Sequence, residues 1–144
     1  MTFRKFLLDM NQLFEDFIAQ SFLRAARPTV FSALSQNWDS FGRQRDQMSA
    51  SSIRLRPDVV LRSAAGVVVV VVDAKYKRLL DDSYPHTDLY QMLAYGTALR
   101  CPRTYLFFPS TEIETDTLIE VNNSSVTIAI RRIDLADAEC VWSN

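Results

Sequence analysis

Asp58, Asp73 and Lys75 are the residues of this sequence best suited to chemistry. Each aspartate stands in an apolar stretch, LRPDVVL and VVVVVVDAK, that reads as a strand. An unpaired carboxylate is expensive to bury there and answers with a shifted pKa. Two carboxylates on adjacent strands repel unless a cation lies between them. A hard divalent ion meets that need, and Mg²⁺, with Mn²⁺ as a substitute, suits one or two carboxylates plus a substrate phosphate. Strand side chains alternate, so Lys75 shares a face with Asp73, while Ala74 points away but leaves its main-chain carbonyl as a further metal ligand. A lysine beside a metal-bound water orients that water and offsets charge developing on a phosphorane-like transition state. Together these groups suit in-line attack on a phosphodiester.

Taken singly, the pieces are weak. Asp-x-Lys at a strand end is commonly structural, and Pro-Asp is a turn signal. Their setting gives them weight: a buried valine strand, the order of a hairpin, and a following helix with the pattern Gln91-x-x-x-Tyr95.

The elements that must position these residues are legible in outline. Residues 3–24 read as a helix, because Phe3, Phe6, Leu7, Met10, Leu13, Phe14, Phe17 and Ile18 recur at helical spacing. Thr2 could cap it, Pro28 closes it, and Glu15 borders the apolar stripe. Residues 30–34 fit a short strand, and the polar stretch 35–52 a loop or irregular hairpin arm. Residues 53–62 read as one strand in which Pro57 marks an edge or a bulge. A turn at 64–66 leads to residues 67–75, apolar on both faces and hence central in a sheet, paired with 53–62 as a hairpin. A loop at 79–84 precedes a helix at 87–99. Its Leu89, Met92, Leu93, Gly96 and Leu99 share one face, and Asp88, Gln91 and Tyr95 a neighbouring one. Residues 103–108 form a buried strand stopped by Pro109, and 116–121 with 126–133 a hairpin around the 122–125 turn. The tail, 134–144, is weakly specified. This order predicts one α/β domain over residues 1–144, a central mixed sheet flanked by helices.

Composition bounds the rest. With 144 residues, 48% hydrophobic and 23% charged, the chain is an ordinary globular domain. The six-valine run at 67–72 is far shorter than the ~20 residues of a membrane span. The acids Asp9, Glu15 and Asp16 set the N-terminus apart from a signal peptide, so a cytoplasmic location is expected. Cys101 and Cys140 lack metal-ligand spacing and read as reduced thiols. A single histidine, His86, and three glycines remove His-based metal sites and phosphate-cradling glycine loops. The net charge of −1 argues against a uniformly basic surface. Arg43, Arg45, Arg54, Arg56 and Arg62 nonetheless gather in the first half, with Lys75, Lys77 and Arg78 after the valines. That pattern fits either a basic face or a plain solvated surface.

Pro57-Asp58, Asp73-Ala74-Lys75 and Gln91-Met92-Leu93-Ala94-Tyr95 resemble the PD-(D/E)XK nuclease superfamily. More narrowly, LLDMNQLFEDFIA, LRPDVVL, VVDAKYK and DLYQMLAYG resemble the nuclease domain of the McrC-type subunit of 5-methylcytosine-directed restriction systems, over roughly residues 6–109. The resemblance implies a restriction-endonuclease-like fold, an α-β-β-β-α-β core plus a C-terminal hairpin, and Mg²⁺-dependent DNA cleavage. It implies Asp58 and Asp73 as metal ligands and Lys75 as the residue positioning the attacking water. Gln91 and Tyr95 match the helix bordering the active site. Glu15 matches a place where that superfamily often has an extra acid, and equally fits a plain helix-surface carboxylate. McrC-type subunits are normally longer, with an N-terminal part that docks onto an AAA+ GTPase ring carrying the methylcytosine reader. This chain begins at the nuclease domain, as a short lineage, an excised domain or a remnant would.

The expectation is a DNA endonuclease whose targeting comes from an AAA+ GTPase partner or from homodimerisation, with no membrane association. The alternatives are a catalytically silent assembly or DNA-binding module of the same fold, a nuclease acting on RNA or branched DNA, or a purely structural protein. Tyr76 and Lys77 fit a solvated strand end better than a phosphate contact. Arg54 and Arg56 share parity with Asp58 and either face a substrate groove or balance charge. Trp38 and Trp142 read as packing residues. The Phe-rich first helix reads as core or as a subunit interface.

Overall fold

A computed structural model describes residues 2–45, 50–77, 84–110 and 116–135. The side chains of residues 2–9 and 50, together with Arg78, most of the 79–84 loop, Cys140, Trp142 and the tail from 136, lie outside what is described. The elements run α1 (Thr2–Ala26), β1 (Ser32–Ser35), β2 (Asp39–Arg45), β3 (Ala50–Leu55), β4 (Val59–Arg62), β5 (Val68–Ala74), α2 (His86–Ala98), β6 (Arg103–Ser110), β7 (Thr117–Glu120) and β8 (Thr127–Asp134).

Six strands form one mixed sheet in the order β1-β4-β5-β6-β8-β7. β4 and β5 make the expected antiparallel hairpin, with Val59 opposite Val72. Gly66, at φ 78°, turns the chain between them, a conformation glycine adopts without steric cost. β5 and β6 are parallel, so α2 is the crossover between them. β6 and β8 are parallel as well, and β7 returns antiparallel along the outer edge of β8.

Alternation along β5 divides the core in two. Val71 faces the layer of Met92, Tyr95, Leu106, Phe108 and Ile128, which α2 covers. Val72 and Ala74 face Phe14, Ile18 and Ala19 of α1. Val68, Val71 and Val72 are buried and Val69 and Val70 half-buried, as expected of an apolar strand with helices over both sheet faces.

Several sequence expectations need correction. The single strand expected over 53–62 is two strands in different sheets. β3 ends at Leu55, Pro57 is buried in the break, and β4 starts at Val59. Proline has no N–H to continue a ladder, so the chain changes sheet there. Second, the polar stretch 35–52 is not mainly loop: most of it builds β2 and β3, which pair only with each other. Polar, solvated ribbons lack the apolar alternation by which strands are recognised. Third, β6 runs through Pro109 to Ser110. Its ladder with β5 ends at Phe107, so Pro109 needs to satisfy only β8. Fourth, Leu13 is exposed although it falls within the periodic stripe of α1, because the packed stripe runs through Phe14 and Ile18 one position on. The strand expected at 30–34 falls at Ser32–Ser35, leaving Val30 exposed.

Candidate active site

The carboxyl end of β5, where the crossover to α2 begins, gathers the groups singled out from sequence. Open α/β sheets commonly place their sites at such strand ends. Lys75 lies one residue beyond β5, yet its N–H still donates to the Phe107 carbonyl at 2.9 Å, so the strand register carries on through it. That register puts Asp73 and Lys75 on one face, and Lys75 Nζ stands 2.7 Å from Asp73 Oδ2.

Asp58 sits in the break before β4, not inside a strand. The β4–β5 register would set Pro57 opposite Ala74, where a proline offers no N–H. Asp58 fills the gap from its side chain: Oδ2 accepts the Ala74 N–H at 2.8 Å. On a strand, N–H and C=O of one residue point to the same side, so the Ala74 carbonyl is directed toward Asp58 as well. The Asp58 carbonyl in turn accepts from Gln36 N–H at 2.9 Å. Gln36 has φ 46°, an uncommon conformation for a non-glycine residue, and is clamped by Arg56. Arg56 Nε donates to its carbonyl at 3.0 Å and Nη2 to its Oε1 at 2.7 Å.

Asp58 and Asp73 are 8% and 2% exposed, too buried for two independent anions. Burial raises the Asp73 carboxyl first and the neighbouring Asp58 charge second, to about 7, with Lys75 opposing. Burial also raises Asp58, and its bond from Ala74 opposes this. The two carboxyls are coupled, so the protonation of each bears on the other. Asp73 Oδ2 is sealed from solvent without a well-directed hydrogen bond, so the Lys75 ammonium meets it chiefly as a charge. Burial pulls the Lys75 pKa down most, but Asp73, Asp58 and Asp88 together outweigh it and favour the ammonium.

Glu15 reaches the same neighbourhood from α1. Its pKa is raised by burial first and by Asp73 second. Gln91 and Tyr95, one turn apart on α2, are joined by Gln91 Nε2 donating to Tyr95 Oη at 2.7 Å, and Tyr95 Oη lies 3.4 Å from the Arg56 carbonyl. Burial raises the Tyr95 pKa, and Asp73 and Asp58 add to it, so its phenol stays protonated. α2 thus braces the chain segment that presents Asp58.

The structure therefore brings together Asp58, Asp73, Ala74 and Lys75, with Glu15, Gln91 and Tyr95 around them. Sequence reading missed Gln36 and the bracing part of Arg56, since a solvated polar stretch gives no signal for such a clamp. It also missed that Lys77 pairs with the buried Asp88 at 3.1 Å. Tyr76 packs against Phe14. Trp38 is 55% exposed and carries the Arg56 guanidinium 5.5 Å from its ring centre, so it is not a core residue. Arg54 lies in β3 and Arg56 in the break, so neither shares a strand with Asp58. Cys101 is a buried free thiol.

A divalent metal suits this donor set, because Asp73 Oδ2, ion-paired with Lys75 but without a directed hydrogen bond, is buried beside a second carboxylate. Among the described residues no three His, Cys, Asp or Glu side chains are assembled to hold a metal. Side-chain donors would then be the two aspartates, with the Ala74 carbonyl, water and a substrate phosphate completing the shell, the pattern usual for Mg²⁺.

These features define a mixed α/β protein with a buried carboxylate pair and a lysine at the end of a central strand. Residues 3–109 match the family profile described as "McrBC 5-methylcytosine restriction system component", and the chain belongs to that family. Comparison with curated protein sequences gives no match. Among solved structures the chain is similar to a chain of the Thermococcus gammatolerans assembly of McrB AAA+ hexamers with bound McrC, with a TM-score of 0.64 and 21% identity. The likeness covers 93% of this chain but 30% of that one.

Proposed function

We propose that this domain is a Mg²⁺-dependent DNA endonuclease of the PD-(D/E)XK type, the cleavage module of a modification-dependent restriction system. The observation carrying the reading is the Asp58–Asp73 pair, buried against its own repulsion with Lys75 2.7 Å from Asp73. A purely structural strand would gain by replacing these charges with apolar groups. Family membership supports the restriction context.

Asp58, Asp73 and the Ala74 carbonyl would hold the ion. When bound, it would polarise the scissile phosphate and lower the pKa of water. Lys75, a cation held 2.7 Å from Asp73, would orient the attacking water and balance charge gathering on the phosphate oxygens. Gln91 and Tyr95 hold the Arg56 carbonyl, and with it the approach to Asp58. The McrC of the similar structure is bound to AAA+ hexamers, and we extend a partner of that kind to this chain as the supplier of targeting.

The test is cleavage of supercoiled plasmid, methylated and unmethylated, with Mg²⁺ or Mn²⁺, beside Lys75→Ala. Metal-dependent nicking that disappears in the variant is expected. Equal nicking by both proteins would remove the proposed centre. Cleavage confined to RNA or branched DNA would keep the chemistry and replace the substrate.

A further inference from the structure

β2 and β3 form a ribbon that pairs with no strand of the main sheet. Its two faces differ. Leu55, opposite Asp39, is buried in the core beneath α2, which sets the inner face. A register shift at Phe41 then places Ser40 opposite Arg54 and Arg43 opposite Ser52, with Arg45 two residues further along. Cross-strand partners share a face, so Arg43, Arg45 and Arg54 project together from the side opposite Leu55. All three are exposed.

Other arginines near the ribbon are engaged. Arg62 pairs with Asp39 at 2.7 Å, and Arg56 holds Gln36. Among the described residues, Arg43, Arg45 and Arg54 make no ion pair. Three cations on one strand pair, separated only by serines, ask for an anionic partner. Arg43 and Arg45 are ~7 Å apart along the strand. The ribbon also leads into the catalytic strand end, since four residues of chain hold Arg54 within about 14 Å of Asp58 at full extension. Beside it lies a recess of about 340 Å³ bordered by Trp38, Asp39, Ser40, Ser52 and Arg54, with Asp39 neutralised by Arg62 and Trp38 largely exposed.

We infer that the Arg43–Arg45–Arg54 face of this ribbon is a phosphate-binding surface that holds the DNA backbone against the Asp58–Asp73 site. The inference rests on the nuclease reading and adds the element that seats the substrate. Its contacts go to phosphate, so they give affinity and register but no base sequence, which leaves targeting to a partner. A two-stranded ribbon is also narrow enough to lie along a DNA groove.

The experiment is binding of the full chain to a labelled DNA duplex by fluorescence anisotropy across a salt titration, with Ca²⁺ replacing Mg²⁺, alongside plasmid cleavage. Each phosphate contact contributes about 0.9 to the slope of log K against log salt. R43A/R45A/R54A is expected to lower that slope by up to about 2.7, with R43K/R45K/R54K keeping most of it. R100A/R103A, at the opposite end of β6, should bind as the parent does. Because the three positions are exposed, melting temperatures should stay unchanged. If the triple variant does unfold, the single alanine variants must each lower the slope by about 0.9. A parent that binds and cleaves DNA beside a triple variant of equal affinity and slope overturns the ribbon's role alone. Equal DNA binding with lost association to an AAA+ partner also overturns it, assigning the arginines to a protein interface. A parent that neither binds nor cleaves DNA fells the nuclease reading and this inference together.

Discussion

Without the Lys75 ammonium, Asp73 Oδ2 would remain buried beside a second carboxyl with no positive charge to offset either. Lys75→Ala is therefore expected to reduce cleavage by about 100-fold or more, the usual cost of losing a preorganised charge at a reacting group. Single-turnover cleavage by folded variant and parent checks this, and a loss under tenfold would assign Lys75 to charge balance alone. The same pair governs stability. Asp73 is raised from 3.8 to about 7, so the fold favours its protonated form. That contribution is full below about pH 4 and is lost as pH rises through about 7. Asp58 is shifted in the same direction. Metal-free protein should thus lose thermal stability across this window, and Asp73→Asn should flatten the profile. On the proposed function Mg²⁺ would bind the ionised carboxylates, so it should raise Tm more above about pH 7 than below it. Scanning calorimetry with EDTA and with Mg²⁺ reads both effects. A metal-induced shift that is equal in Asp73→Asn and parent would remove Asp73 from the ion's ligands.

At the scale of elements, α2 packs tightly against the hairpin ahead of β8. Gly96 permits this approach. A Cβ there would stand 2.8 Å from Val126 Cγ1 and 2.9 Å from the Cys101 carbonyl. Alanine would add about 1 kcal/mol of helix propensity. Overpacking costs about 1–3 kcal/mol, and the carbonyl is backbone that cannot swing aside. The clash wins, so Gly96→Ala is expected to destabilise by up to about 2 kcal/mol net, read by urea denaturation. A gain in stability would show that α2 has room to move. Helix periodicity made α2 legible in the sequence, and unbroken β-branching made β5 so; both signals come from burial. Asp73 and Lys75 were legible because a charge at the end of such a strand stands out. Asp58 was legible as a residue but not in its place, since Pro57 reads equally as a bulge within one strand or as a break between two. β2 and β3 were hidden because their cross-strand pairs are polar and solvated. The clamp of Arg56 on Gln36 spans 20 residues and left no periodic trace.

At the scale of the molecule, the described residues hold one such carboxylate pair, and on the proposed function one centre would attack one strand of a duplex. Cutting both strands then takes two chains acting together or two separate events. Among the described residues the main sheet ends in two edge strands, β1 and β7, and the arginine ribbon is hydrogen-bonded to neither. A sheet edge used for chain pairing therefore need not be the face that seats DNA. A nicked circle is expected as the first product, with its rate proportional to protein. Linear product should depend more steeply on protein, rising about fourfold where nicking doubles, if two chains must meet on the DNA. An AAA+ partner that brings two copies together should convert this steep dependence into direct linearisation, because the second chain is then supplied at high local concentration. Gel quantification of nicked and linear plasmid over a protein titration, with light scattering on the same samples, decides the matter. Linear DNA rising in proportion to protein, without a nicked intermediate and where the chain is monomeric, would sink the one-centre account and require a second centre within the chain.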